Sequence, residues 1–158
     1  MSHKKLNEID RLRLIAEAIR YCKTVKEMGM PASCYSKALR EPIHFLWERR
    51  SSSKFEAASY ATRAALDAKE SGEKIIYDHA IPFIYLQNIL LDFNSPSLQT
   101  IKGILLDYSV ITLITKSEDN KLNRVGLRSK MPQDWDGKNP LARYASVEIE
   151  ILKIERSF

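Results

Sequence analysis

The sequence reads Val110-Ile111-Thr112-Leu113-Ile114-Thr115 at its most strongly β-favouring stretch. Branched side chains dominate this run, and they are enriched in strands because a branched Cβ packs well on a pleated surface. Residues 117–119 follow almost directly and favour the start of a helix, for which Gly126 would be the C-cap. The stretch therefore predicts a strand followed at once by a helix.

A second, shorter strand is predicted over residues 74–77, which are also rich in β-favouring side chains. Asp78 and His79 come directly after it. Two helices are predicted between the strands, one starting at Pro82 and one from Ser97 to about Leu106, because apolar residues recur there at spacings of three and four. The two strands are thus separated by a helical insertion.

The first half of the chain has a helical pattern throughout. Helices are predicted from Leu6 to about Met28, from Ser33 to Arg50 with a break or kink at Pro42, and from Lys54 to about Glu70. We therefore expect a predominantly helical α+β fold, with a basic helical region at 1–72 and a small ββα unit with a C-terminal extension at 73–158, in one compact domain. The final apolar stretch, 147–154, fits either an edge strand or a helix.

Composition narrows the class of protein. The 158 residues are 44% hydrophobic and 28% charged, which is typical of a globular domain. The N-terminus lacks the apolar core of a signal peptide and no run is long enough for a membrane span, so a cytoplasmic protein without a membrane partner is expected. Cys22 and Cys34 lack CxxC spacing, and the five glycines form no phosphate-binding loop, which argues against zinc-finger, kinase and dehydrogenase classes.

The positive charge is unevenly distributed. Residues 1–75 contain 15 Lys and Arg against 10 Asp and Glu, whereas residues 76–158 contain 10 of each. Such an excess suits a nucleic-acid backbone, because binding of Lys and Arg releases condensed counterions, although it also serves solubility. The side chains predicted to contact phosphates are Arg49, Arg50, Lys54 and Arg63.

The two predicted strands frame residues that could hold a metal ion and activate water. A histidine at a strand end can act as a general base near neutral pH, and a neighbouring carboxylate can bind a divalent cation. Asp119 and Asn123 are four residues apart, so they share one face of the predicted helix. His44, in an apolar helical segment, is interpreted as a packed histidine.

This arrangement resembles the HNH family of endonucleases, also described as ββα-metal or His-Me finger enzymes. The residues that carry the resemblance are Tyr77-Asp78-His79-Ala80-Ile81-Pro82 and Thr115-Lys116-Ser117-Glu118-Asp119-Asn120-Lys121-Leu122-Asn123. The resemblance implies that His79 is the general base and that Asp78, Asp119 and Asn123 bind Mg²⁺ or Mn²⁺. It also implies hydrolysis of phosphodiester bonds in DNA.

The chain departs from the family pattern in two respects. Asp119 stands where the family has a ligand histidine, and the segment before the second strand is helical instead of a loop with an asparagine that orients the base. Asn88 and Asn94 are candidates for that orienting role. Two other functions remain open: a non-catalytic nucleic-acid-binding or regulatory protein, and a protein-interaction module.

Overall fold

The computed structural model describes residues 5–49 and 55–155, so Arg50 and Lys54 of the predicted phosphate contacts lie outside the described residues. Helices dominate this part of the chain, and none of them has the length and apolar character that crossing a membrane requires. The helices are α1 (Glu8–Glu27), α2 (Ser36–Ile43), α3 (Arg63–Glu70), α4 (Phe83–Asp92), α5 (Leu98–Tyr108), α6 (Lys116–Arg124) and α7 (Ala142–Ser146). The strands are β1 (Tyr60–Ala61), β2 (Ile75–His79), β3 (Ile111–Thr115) and β4 (Leu152–Lys153).

The strands form one mixed sheet in the order β2-β3-β1-β4. Strands β2 and β3 are antiparallel, with Ile75 opposite Thr115 and His79 opposite Ile111. Strand β1 is parallel to β3, and β4 pairs with β1 at the edge. The predicted α+β class is confirmed, as is the helical insertion, because α4 and α5 lie between the two principal strands.

A helical layer provides the largest part of the core. Its buried side chains come from α1, α2, α4 and α5, so residues on both sides of position 72 share it. On α1 they follow the predicted stripe at spacings of three and four. Burial of each such Leu or Ile contributes about 1.5–3 kcal/mol relative to exposure. The members with no more than 2% exposure are Ile15, Ile19, Cys22, Leu39, Ile43, Leu86, Leu90, Ile101 and Leu105.

The two faces of the sheet have different partners, because successive side chains of a strand point to opposite sides. Ile114 on one face packs with Leu122 of α6 and Tyr144 of α7. Leu113 on the other face packs with Ala65 of α3. This division decides which residues can meet at a site on β2.

The structure differs from the prediction around residues 44–70. The predicted helix from Lys54 is wrong in its start: α3 begins at Arg63 with the Thr62 side chain as its N-cap, and strand β1 precedes it. Helix α2 continues through Pro42 and then widens into a π-helical turn, His44–Glu48. Proline has no N–H to donate within a helix, which weakens the regular α-helical bonding at this point.

One buried arginine ties the C-terminal segment to the sheet. Arg143 is 1% exposed and pairs with the carboxylate of Asp78 on β2, at 2.6 Å from Nη2 to Oδ2. Tyr144 donates a hydrogen bond to the same carboxylate oxygen at 2.5 Å. The guanidinium also donates to backbone carbonyls of His79, Ala80, Leu127 and Arg128.

We expect Arg143→Met to lower the free energy of unfolding by about 3–5 kcal/mol, because it leaves the partly buried Asp78 carboxylate without its cationic partner. Urea unfolding at neutral pH measures this loss. Arg124→Met on α6 is the control, since Arg124 is exposed. A change below about 1 kcal/mol for Arg143→Met would contradict the structural role.

Candidate functional site

Asp78 and His79 do not point to a common site. The strand was predicted to end at Tyr77, but β2 extends to His79, so the pleat sends these adjacent side chains to opposite faces. Asp78 is bound by Arg143 and Tyr144 on the face that carries α7. His79 lies on the other face, where its Nε2 is 2.9 Å from a carboxylate oxygen of Glu48. The predicted pairing of ligand and base across one metal ion is therefore wrong.

Asp119 and Asn123 also lie apart from His79. Helix α6 packs through Leu122 on the face of the sheet opposite His79, and the Asp119 carboxylate pairs with Lys116 of its own helix at 3.0 Å. The Oδ1 atom of Asn123 is buried without a hydrogen-bond partner within residues 5–49 and 55–155. Over the same residues, no group of three or more His, Cys, Asp and Glu side chains is placed to hold a metal ion. The predicted ligands Asp78, Asp119 and Asn123 do not converge.

The Thr-x-x-Glu pattern at the start of α6 has a local structural explanation. The Thr115 hydroxyl accepts a hydrogen bond from the Glu118 backbone N–H at 3.2 Å, and the Glu118 carboxylate accepts one from the Thr115 N–H at 2.8 Å. This reciprocal arrangement is a capping box, which satisfies free donors of the first helical turn. Glu118 also accepts a hydrogen bond from Thr62, and so links α6 to the N-terminus of α3. Half of the motif that resembles the nuclease family thus stabilises the fold.

Thr115→Ala should lower the free energy of unfolding by about 1 kcal/mol, the usual cost of losing an N-cap. Asp119→Asn should change it by less than about 0.5 kcal/mol, because its ion pair with Lys116 is at the surface. Thermal or urea unfolding distinguishes the two variants. An equal effect of both would contradict the capping assignment.

The side chain that binds His79 is a buried carboxylate. The Glu48 side chain is only 1% exposed, and four side chains of the described chain donate hydrogen bonds to it. His44 Nδ1 and the Tyr77 hydroxyl each lie 3.0 Å from Oε1. His79 Nε2 at 2.9 Å and the Ser109 hydroxyl at 2.7 Å bind Oε2. We call these five residues the Glu48 cluster.

The π-helical turn positions two members of this cluster. The Arg49 N–H donates to the His44 carbonyl at 2.9 Å, which is the i to i+5 bond of a π-helix. Ile43 and Trp47 are buried in the helical core and fix the turn. His44 and Glu48, four residues apart, then face β2 together. Single π-helical turns are rare in proteins, and those that occur frequently lie at functional sites.

The hydrogen bonds determine the charge of Glu48. Burial alone would raise the pKa of this carboxyl, but the hydrogen bond and charge of His79, with hydrogen bonds from Ser109 and His44, lower it to about 2. Glu48 is therefore a carboxylate near neutral pH, and a carboxylate can only accept hydrogen bonds. His44 Nδ1 and His79 Nε2 must then each carry a proton. The opposite ring nitrogens, His44 Nε2 and His79 Nδ1, have no hydrogen-bond partner among the residues that the structure describes.

Two arginine–aromatic pairs flank the cluster. The Arg49 guanidinium lies 5.7 Å from the centre of the Phe45 ring, which is in edge contact with His44. On the other side, the Arg40 guanidinium lies 5.1 Å from the Phe83 ring, which contacts His79. Arg49 was a predicted phosphate contact, whereas Arg40 was not. Arg63, another predicted phosphate contact, borders a separate cavity whose lining also includes Asp67, Glu118, Lys121, Glu148 and Glu150.

Sequence reasoning missed Glu48 and took His44 for a packed histidine. The signal in the sequence was Glu48 itself, an acidic residue that follows the apolar residues Ile43, Leu46 and Trp47. An acidic side chain on the buried side of a helix requires hydrogen-bond or charge partners. The candidates for orienting His79 were also wrong. Asn88 is exposed on α4, and Asn94 binds Lys23 of α1.

Comparisons of this chain with models of protein families, with curated proteins and with solved structures give no match. The resemblance to HNH nucleases stays a prediction that rests on the two motifs. The function is therefore inferred from the chemistry of the Glu48 cluster.

Glu48 should contribute about 3 kcal/mol to the free energy of unfolding near pH 7, because its pKa is about 2 in the folded chain against an ordinary value of 4.5. The folded pKa is depressed, so the contribution is full above pH 4.5 and is lost as the pH falls toward about 2. Urea unfolding of the wild type and Glu48→Gln at several pH values measures it.

The stability difference between these two proteins should shrink from about pH 6 to about pH 3. Glu70→Gln, at an exposed position of α3, is the control and should show no comparable change. A difference that is independent of pH would contradict the ionised state of Glu48.

Proposed function

We propose that this protein cleaves phosphodiester bonds in nucleic acid and that His79 is its proton-transferring catalytic residue. The observation that carries the proposal is the bond of His79 to the buried carboxylate of Glu48, at 2.9 Å. The His79 side chain is 22% exposed, whereas that of Glu48 is 1% exposed. One edge of the imidazole is thus fixed inside the protein while part of the ring is open to a substrate.

A histidine held by a carboxylate has a defined tautomer and orientation. With the proton on Nε2 directed at Glu48, the lone pair of Nδ1 is available to accept a proton. In the proposed step, Nδ1 takes the proton from a hydroxyl as the hydroxyl oxygen bonds to phosphorus. The bond from phosphorus to the leaving oxygen breaks, and that oxygen takes up a proton from solvent water. General acid–base catalysis of this kind contributes about 10²–10⁴-fold in rate.

The surroundings of the cluster suit a nucleic-acid substrate. Arg40 and Arg49 provide guanidinium groups on its two sides, and guanidinium groups bind phosphate oxygens in a bidentate manner. Phe45 is 55% exposed, so a base could stack on its ring. The positive charge of residues 1–75 would add attraction that does not depend on sequence.

The test incubates purified protein with supercoiled plasmid DNA and with single-stranded RNA, each in Mg²⁺, in Mn²⁺ and in EDTA. His79→Gln should lower the cleavage rate by about 10²–10⁴-fold. The control is Arg124→Gln on α6, an exposed arginine outside the cluster and outside residues 1–75, which should retain the wild-type rate. Thermal unfolding of each variant shows whether it is folded.

Three results would count against the proposal. Equal cleavage by the wild type and His79→Gln would show a contaminating nuclease, and the proposal would lose its support. Salt-sensitive binding without cleavage would favour a nucleic-acid-binding protein. An absence of both binding and cleavage would favour a protein-interaction module. Cleavage that requires a divalent ion would indicate a metal-dependent mechanism. Its metal ligands would then differ from the predicted set of Asp78, Asp119 and Asn123.

A further inference from the structure

The Glu48 cluster contains two imidazoles in nearly equivalent positions. His44 binds one oxygen of the carboxylate and His79 binds the other, at 3.0 and 2.9 Å. Both side chains are 22% exposed. Both rings are also in edge contact with the Tyr77 ring, at centroid distances of 5.4 and 5.9 Å. A reaction that uses a single general base needs only one of these two histidines.

The geometry of the cluster leaves one nitrogen of each ring for catalysis. Each imidazole directs one ring nitrogen at the Glu48 carboxylate, and its second nitrogen has no partner among the described residues. Such a nitrogen accepts a proton in a neutral imidazole and donates one in an imidazolium. The two rings can therefore act as general base and general acid in one reaction.

The hydrogen bonds to the Glu48 carboxylate also indicate which group acts as the nucleophile. A carboxylate has about four lone-pair positions, and the hydrogen bonds from His44, Tyr77, His79 and Ser109 occupy them. Glu48 consequently has no position left for a cation that would activate water. A hydroxyl group of the substrate next to the reacting phosphorus does not require a cation for its activation. Such intramolecular nucleophiles reach effective concentrations of about 10⁵–10⁸ M. RNA has such a hydroxyl at C2′, and DNA does not.

We infer that the substrate is RNA and that His44 and His79 together catalyse transesterification at the 2′-hydroxyl. The inference rests on the proposed function and names its substrate class. One imidazole removes the 2′-hydroxyl proton, and the 2′-oxygen bonds to the adjacent phosphorus. The bond from phosphorus to the 5′-oxygen breaks, and the other imidazole gives its proton to that oxygen. The products are a 2′,3′-cyclic phosphate and a 5′-hydroxyl end, and no water or other reactant is consumed.

The experiment uses three labelled oligonucleotides of one sequence in EDTA. One has a single ribonucleotide among deoxyribonucleotides, one has 2′-O-methylribose at that position, and one is entirely DNA. The wild type should cut only the first, directly after the ribonucleotide, and mass spectrometry should show a product lighter by one water than the 3′-phosphate. This readout does not depend on the folding of any variant.

The variants His44→Gln and His79→Gln should each lower this cleavage by about 10²-fold or more. The wild-type dependence of kcat/KM on pH should be bell-shaped, and each single variant should lose one limb of the bell. Arg124→Gln is again the control and should retain both limbs. A lower rate of either variant with an unchanged bell-shaped pH profile would overturn the acid–base roles of His44 and His79.

The outcomes separate the two proposals. Cutting of the DNA or 2′-O-methyl oligonucleotide at a rate similar to the first would overturn the inference and leave the proposed function in place. Cutting of the first oligonucleotide to a linear 3′-phosphate without a cyclic intermediate would do the same. No cutting of any nucleic acid under any condition would overturn both.

Discussion

Strand β2 is held between two buried charged groups of opposite sign, one on each face of the sheet. Arg143 binds Asp78 on one face, and Glu48 binds His79 on the other. Burial of the Arg143 guanidinium or of the Glu48 carboxylate would be unfavourable without these partners. Each pair therefore fixes β2 relative to the segment that carries the buried group. The first joins the C-terminal segment to the sheet. The second joins the helical layer to the sheet at the candidate site.

The alternation of side chains along β2 explains both the correct and the wrong parts of the site prediction. His79 has a carboxylate partner, as a proton-transferring histidine needs, but that partner is Glu48 and not a metal-binding set with Asp78. Had the strand ended at Tyr77 as predicted, the Asp78 and His79 side chains could have shared a direction. Because β2 continues to His79, its pleat separates them.

The cluster around Glu48 is costly to build, which supports a role beyond packing. Desolvation of a carboxylate raises the free energy of the folded chain unless hydrogen bonds replace the lost water. Here two histidines, a tyrosine and a serine from three separate parts of the chain replace it. Burial of apolar side chains of similar size would give comparable stability with fewer constraints. A π-helical turn after Pro42 adds a further departure from regular structure at the same place.

The sequence by itself determined the predominantly helical α+β class, the two principal strands, the helical insertion between them and the helix that follows the second strand. These features depend on side-chain periodicity and on residues within a few positions of each other. Only the tertiary structure decided the partners of His79 and Asp78. Glu48 precedes His79 by 31 positions and Arg143 follows Asp78 by 65. Such pairings depend on how helices and sheet pack together, and local sequence patterns do not encode that geometry.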